Sequence, residues 1–333
     1  MSIHLGGAIM AQPVILAPMS GITDQPFRRL VRSFGVDMVV SEMIASASQI
    51  KGTRISNERA RWASDEGLRV VQLAGCQTGA MAQAARLNQD QGADVIDINM
   101  GCPVKKVVGG SAGSALMRDE DHALSLIDAV VGAVDIPVTL KMRTGWDDNH
   151  RNAPSLAVRA EAAGVAMITV HGRTRCQFYD GHADWDFISH VAAAVEIPVI
   201  ANGDVNRVED AAMMLRQSGA AGVMIGRGAF GRPWFPAQVR HYLATGGYLA
   251  DPNITAQRDT AIDHYRAILE HYGEGRGLRI ARKHINRYLE RLGVAKEDRR
   301  AVLRQSDSGA VMQQINEAYD KAGNDKTFAR DAA

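Results

Sequence analysis

Eight short runs of apolar, β-prone residues recur along the first three-quarters of this chain, and their spacing constrains the fold more than any other feature. They occupy residues 14–17, 38–41, 70–73, 95–99, 138–141, 167–171, 199–201 and 222–225. None alternates strictly between apolar and polar, as expected of parallel strands buried on both faces. Helix-like stretches lie between them at 25–33, 80–91, 119–134, 155–163, 185–195 and 208–218. Gly35, Gly92, Gly164 and Gly219 each follow such a stretch and precede the next strand. Glycine accepts the left-handed conformation that ends a helix at no steric cost. Eight βα units over about 230 residues predict a TIM (β/α)8 barrel, an α/β fold. A doubly wound sheet would want a GxGxxG loop after an early strand, and none is present.

The rhythm stops near Gly246-Gly247 and Asp251-Pro252. Downstream, residues 255–272, 277–292, 296–305 and 308–322 read as helices. The chain therefore divides into a barrel, 1–247, and a small C-terminal helical domain, 251–333. Between Arg276 and Arg304 stand ten Lys or Arg against Glu290, Glu297 and Asp298, a local charge of +7 on a chain whose net charge is +1. Arg279, Lys283, Arg287 and Arg291 are four residues apart and share one helix stripe. Such a stripe is either a solvated face or a grip for phosphate backbone.

Three cysteines, Cys76, Cys102 and Cys176, show no CxxC spacing. Neither a disulfide framework nor a cysteine zinc site is expected, and a reducing cytoplasm fits. No apolar run approaches the ~20 residues of a bilayer span. The N-terminus lacks the basic start of a signal peptide. No metal and no membrane contact are expected, and a monomer is the default.

In a barrel of this kind chemistry sits at the C-terminal ends of the strands. Those positions carry Pro18, Met19 and Ser20 after the first strand and Gln72 on the third. The fourth ends in Asn99 and Cys102, the fifth in Lys141 and Arg143, and the sixth in His171 and Arg173. Asn202, Gly203 and Asp204 follow the seventh, and Gly226, Arg227 and Gly228 follow the eighth. Glycine-rich loops at the last two strands suit phosphate, with Arg227 adding charge. Lys141 and His171 would form a cation pair facing a bound ring, stabilising negative charge on it. Gln72 and Asn99 offer amide donors and acceptors for ring edges. Cys102 opens a polar loop, 104–113, bearing Lys105 and Lys106; it can act as nucleophile or as general acid.

The segments APMSGITDQPFR (17–28), VVSEM (39–43), VQLAG (71–75), DINMGCPVKKVVGGSAGSAL (97–116), VTLKMRTGW (138–146), TVHGRTR (169–175), PVIANGD (198–204) and VMIGRGAFGRPWF (223–235) closely resemble the tRNA-dihydrouridine synthase family, bacterial B-type branch. The resemblance extends to RIARKH (279–284) in the tail. It implies an FMN-bound barrel, NADPH as reductant, a helical tRNA-binding domain, and reduction of the C5–C6 double bond of specific tRNA uridines.

Carried over by position, it implies that FMN is held by Pro18, Met19, Ser20, Gln72, Lys141, His171, Asn202, Gly203, Asp204, Gly226 and Arg227. The proton donor falls on Cys102. Asn99 and Arg173 would hold the uracil and Lys105 and Lys106 the RNA backbone; Arg279, Lys283 and Arg287 of the stripe would bind tRNA. Ser20 stands where many relatives carry Ala. Two rivals remain: a flavin barrel reducing a free pyrimidine, disfavoured by the basic tail, and a non-catalytic RNA-binding scaffold, disfavoured by the rim residues.

Overall fold

The computed structural model describes residues 2–11, 13–60, 62 and 67–324; Met1 and 325–333, the outer ends of the two expected domains, lie outside them. The eight strands are Val14–Leu16, Met38–Val39, Val70–Ala74, Val95–Met100, Val138–Arg143, Met167–His171, Val199–Asn202 and Gly222–Ile225. Neighbours pair in parallel, and the eighth lies beside the first, with Ile225 opposite Leu16. The second strand is split. Met38–Val39 pairs with the first strand, Val40 bridges to Val70, and Ile44–Ala45 pairs with Leu73 and Ala74. That splice closes the ring.

Absence of alternation in the sequence now has its cause. All six residues of Val95–Met100 and of Val138–Arg143 are buried, because one face meets the barrel interior and the other the helices. Asp24, Asp119 and Asp184 cap three of those helices, accepting from Phe27, His122 and Phe187 N–H at 3.2, 3.0 and 2.9 Å. Such caps satisfy donors that a helix start leaves unpaired. Gly35, Gly92, Gly164 and Gly219 have φ of +89, +88, +97 and +63°.

Two features depart from expectation. A hairpin of Ser2–Leu5 and Ala8–Ala11 precedes the barrel. Its Ile3, Leu5 and Met10 are buried against Ile15, Met38, Val70 and Val95, plugging the end opposite the chemistry. The expected loop 104–113 contains the short helix Lys105–Val108 and leads into a 3-10 turn, Gly113–Arg118. Burial of Leu116 and Met117 draws this segment back onto the barrel.

The tail helices are Ile254–Tyr272, Glu274–Arg291, Lys296–Arg304 and Ser308–Asn324. They enclose a core of their own, centred on Tyr265, Ile268, Leu289 and Ile315. At the seam Tyr272 O–H donates to Asp24 at 3.1 Å, and Arg276 meets Glu58 at 2.7 Å. Gly231 lets the helix Glu274–Arg291 press on the loop after the eighth strand: a Cβ there would lie 3.1 Å from the Arg287 carbonyl oxygen. This close approach brings Arg287 to the barrel mouth.

Candidate active site

A cavity of about 410 Å3 opens at the C-terminal ends of the strands. It falls within the size range of small-molecule and cofactor sites. Its lining gathers Pro18, Met19, Ser20, Gln72, Asn99, Cys102, Lys141, His171, Asn202, Gly203, Asp204, Gly226 and Arg227 from seven of the strand ends, Met43 from between the halves of the second strand, and Arg287 from the tail.

The floor is a chain of amides. Asp97 is fully buried and accepts from Thr139 Oγ1 at 2.6 Å and Gln72 Nε2 at 2.7 Å. Burial pushes its carboxyl up to about 6, against the pull of those two hydrogen bonds. Gln72 Oε1 accepts from Asn99 Nδ2 at 2.8 Å, and Asn99 Oδ1 accepts from Cys102 N–H at 3.0 Å. The strand alternation that points Asp97 and Asn99 to one side thus also fixes the turn carrying the thiol. Burial raises the Cys102 thiol above its ordinary value, although Val104 N–H, Arg143 and Lys141 pull the other way. Cys102 is therefore a protonated thiol at neutral pH. Cys76 and Cys176 are free and lie outside the cavity lining.

Lys141 Nζ donates to Asn202 Oδ1 at 3.0 Å, and Asn202 Nδ2 to the Met224 carbonyl at 2.8 Å. Burial, then Arg143, lowers Lys141 to about 8. Burial, followed by Lys141, Arg143, Arg173 and Arg227, lowers His171 well below its ordinary value. The expected cation pair is thus one cation, Lys141, beside a neutral imidazole. Like charges crowded together in low dielectric cannot all keep their protons.

Gly203 has φ +125°, a conformation closed to other residues, and a Cβ on Gly228 would collide with the Val205 carbonyl. Backbone and ligand can approach closely there. Arg227 is exposed, 3.1 Å from Asp204.

Arg173 is brought to the same side but under the rim. It is 1% exposed, and its guanidinium is spent on Asp204 at 2.6 and 2.9 Å and on the carbonyls of Asp180 and Gly181. Lys105 and Lys106 are exposed on their short helix, outside the lining. In the tail, Arg287 stacks 5.3 Å from the Phe230 ring centre and Arg279 is exposed. Lys283 turns instead into a separate cavity of about 200 Å3 with Asp24, Glu42 and Tyr272.

Two further lining residues stand out. Arg143, noted at the rim without a role, holds the Gly101, Thr174 and Phe178 carbonyls, each at 2.8 Å. Tyr179 was missed. It is 51% exposed, with the Arg143 and Arg227 guanidinium carbons 5.6 and 4.9 Å from its ring centre. The signal available was the adjacent aromatic pair Phe178-Tyr179 in the loop after the sixth strand.

The family model of dihydrouridine synthase (Dus) matches residues 15–324. The probable tRNA-dihydrouridine synthase of Rickettsia conorii is 52% identical over 318 residues, 95% of this chain and 96% of that protein. tRNA-dihydrouridine synthase B of Xanthomonas campestris pv. campestris is 50% identical over 285 residues, 86% of each. Among solved structures, histamine dehydrogenase from Rhizobium sp. 4-9 matches with a TM-score of 0.54 at 11% identity, over 98% of this chain and 64% of that one. A likeness that remote speaks for the barrel fold alone. With its model matched over nearly the whole length and half the residues identical in full-length relatives, this chain belongs to the dihydrouridine synthase family.

Proposed function

We propose that this chain reduces the C5–C6 double bond of uridine in tRNA, holding FMN at the barrel mouth, taking electrons from NADPH, and using Cys102 as proton donor. The observation that carries the reading is a half-buried thiol lining the same cavity as Lys141 and the glycine-rich loops, in surroundings that keep it protonated. A thiol kept protonated is suited to general acid catalysis and poorly suited to nucleophilic attack.

The cavity fits a flavin mononucleotide. Gly203, Gly226 and Arg227 would take the phosphate, Gln72 and Lys141 the polar ring edge, with Pro18, Met19, Ser20, His171, Asn202 and Asp204 completing the wall. Bound there, the flavin supplies the hydride that the reduction requires. The protein's own contribution is positioning and proton delivery. Lys141 places its positive charge where the ring edge becomes anionic, and Cys102 gives its proton to C5 of the uracil. Asn99 fixes the turn that presents the thiol. Tyr179 reaches the cavity and would pack on the uracil, while Arg143 fixes the loops around it through three carbonyls and Arg173 supports the site through Asp204.

A uridine must leave its stack to enter, at a cost of a few kcal/mol that is lowest in a loop. Arg287 at the mouth, together with the exposed Arg279, Lys105 and Lys106, would meet the RNA phosphates. In this reading residues 1–247 are catalytic, the tail from 251 grips the RNA, and the protein works as a cytoplasmic monomer.

The test is to purify the protein, record its visible spectrum, and assay tRNA from a strain lacking dihydrouridine. Flavin absorbance, bleaching by NADPH, and new dihydrouridine are expected. A colourless protein that leaves such tRNA unchanged with added FMN and NADPH would rule the reading out.

A further inference from the structure

Away from the cavity, three buried groups converge where barrel and tail meet. Asp24 caps the first barrel helix, His264 lies on Ile254–Tyr272 and His284 on Glu274–Arg291. They are 3, 2 and 2% exposed, and one ligand-capable atom from each lies within 4.8 Å of the others. Among the described residues, neither His264 Nε2 nor His284 Nε2 has a hydrogen-bond partner. Two orphaned imidazole nitrogens beside a carboxylate, all shut from water, call for an occupant.

The surrounding atoms hold these three groups in place. Tyr288 Oη lies 2.9 Å from His264 Nδ1, leaving Nε2 as the free atom. Phe27 N–H and Tyr272 O–H both donate to Asp24. Phe27 packs on both imidazoles, with ring centres 5.4 and 5.3 Å away. Hydrogen bonds and packing of this kind orient the ligands of metal sites.

We propose that Asp24, His264 and His284 bind one divalent transition-metal ion of the Zn2+ class, joining the barrel to the tail. Two imidazoles and one carboxylate suit Zn2+ rather than Ca2+ or Mg2+, which prefer oxygen alone. Bonds of about 2.0–2.1 Å would draw the three atoms to roughly 3.4 Å apart. That contraction is shared among three side chains. Asp24 also lines the 200 Å3 cavity at the seam, the side from which an ion and a water as fourth ligand would enter. Lys283, the cation beside Asp24, is offset by Glu42. Because each ligand comes from a different helix, the ion would fix the lean that carries Arg287 to the mouth.

The experiment uses the untagged full-length protein, stripped with a chelator and reloaded with Zn2+ or Co2+. About one ion per chain is expected to survive dialysis, raising Tm by about 5 °C, and Co2+ should show four-coordinate d–d bands. His284→Gln and Asp24→Asn should abolish retention. Tyr288→Phe, which removes only a hydroxyl, should weaken it about tenfold. The comparison of stripped with loaded wild type needs no variant to fold. A wild-type protein that retains no ion and shows no Tm change overturns the proposal. So does retention unchanged in both ligand variants, or retention lost with Cys176→Ser.

Discussion

Asn99 and Cys102 are tied directly: the Cys102 N–H donates to Asn99 Oδ1 at 3.0 Å, so the side chain of one sets the backbone of the other. The orientation of Asn99 is itself inherited. Asp97, unable to donate when ionised, forces Gln72 to present Nε2 to it, and Gln72 then offers Oε1 to Asn99. A buried carboxylate two residues upstream thereby decides which way the amide under the thiol points.

Asn99→Ala removes that tie without touching the thiol. Dihydrouridine formation should fall by about 10- to 100-fold, the cost of a misplaced reacting group. Flavin content and NADPH oxidation should stay near wild type. Loss of flavin along with product would mean that Asn99 supports the cofactor rather than the donor.

Cys102→Ala deletes the proposed acid itself. Product formation should drop by about 10²–10⁴-fold, the usual worth of positioned acid catalysis, with NADPH oxidation preserved. Because burial holds the thiol protonated, iodoacetamide at pH 8 should label exposed Cys176 well before Cys102. Faster labelling of Cys102 would contradict a protonated donor.

Much of this site could be read from the sequence, because strand ends in a parallel barrel all reach one rim. The runs ending in Asn99, Lys141 and His171, and the one that Asn202 follows, placed those residues on the cavity without knowledge of their neighbours. Contacts between elements distant in sequence could not be read that way. Arg173 follows the sixth strand by two residues and reads as a rim residue like Lys141, yet Asp204, 31 residues on, claims its guanidinium. Lys283 shares a stripe with Arg287, but the helix meets two different parts of the barrel along its length. One side chain therefore enters the seam while the other reaches the mouth. The N-terminal hairpin had one signal, Gly6-Gly7 between two four-residue runs, both glycines in the positive-φ conformation a two-residue hairpin turn needs.

Lys141 gives a pH signature. In the folded protein it loses its proton near pH 8, whereas its ordinary value is 10.5. Between those values the unfolded chain binds more protons, so stability rises with pH across the window; below pH 8 the penalty is constant. Relative to Lys141→Gln, the wild-type apoprotein should gain on the order of 2 kcal/mol from pH 8 to 10.5 in urea unfolding. Parallel curves for the two proteins would remove the case for a buried, depressed lysine.

The tail separates two kinds of cation. Arg279→Ala with Arg287→Ala should weaken tRNA binding and reduce the salt slope by about 1 to 2, one phosphate contact per arginine. Lys283→Ala should leave the slope alone and lower Tm, since its partners are Asp24 and Glu42 within the seam. An unchanged slope in the double variant, read by filter binding from 50 to 200 mM salt, would exclude these arginines from the RNA grip.

Arg173 offers the clearest division between holding substrate and holding the site. Its fork is engaged on both Asp204 oxygens and two carbonyls while only 1% exposed. Removing it leaves a partly buried carboxylate with only Ala183 N–H and Arg227 as partners, so Arg173→Ala should cost about 1–3 kcal/mol. Arg173→Lys keeps the charge yet loses the paired geometry, and should recover only part of that stability. Asp204 also meets Arg227 beside the glycine loops, so flavin occupancy should fall in both variants. In the flavin-loaded fraction, KM for tRNA should remain as in the wild type. A raised KM with normal Tm and full flavin would instead make Arg173 a direct contact to the uracil.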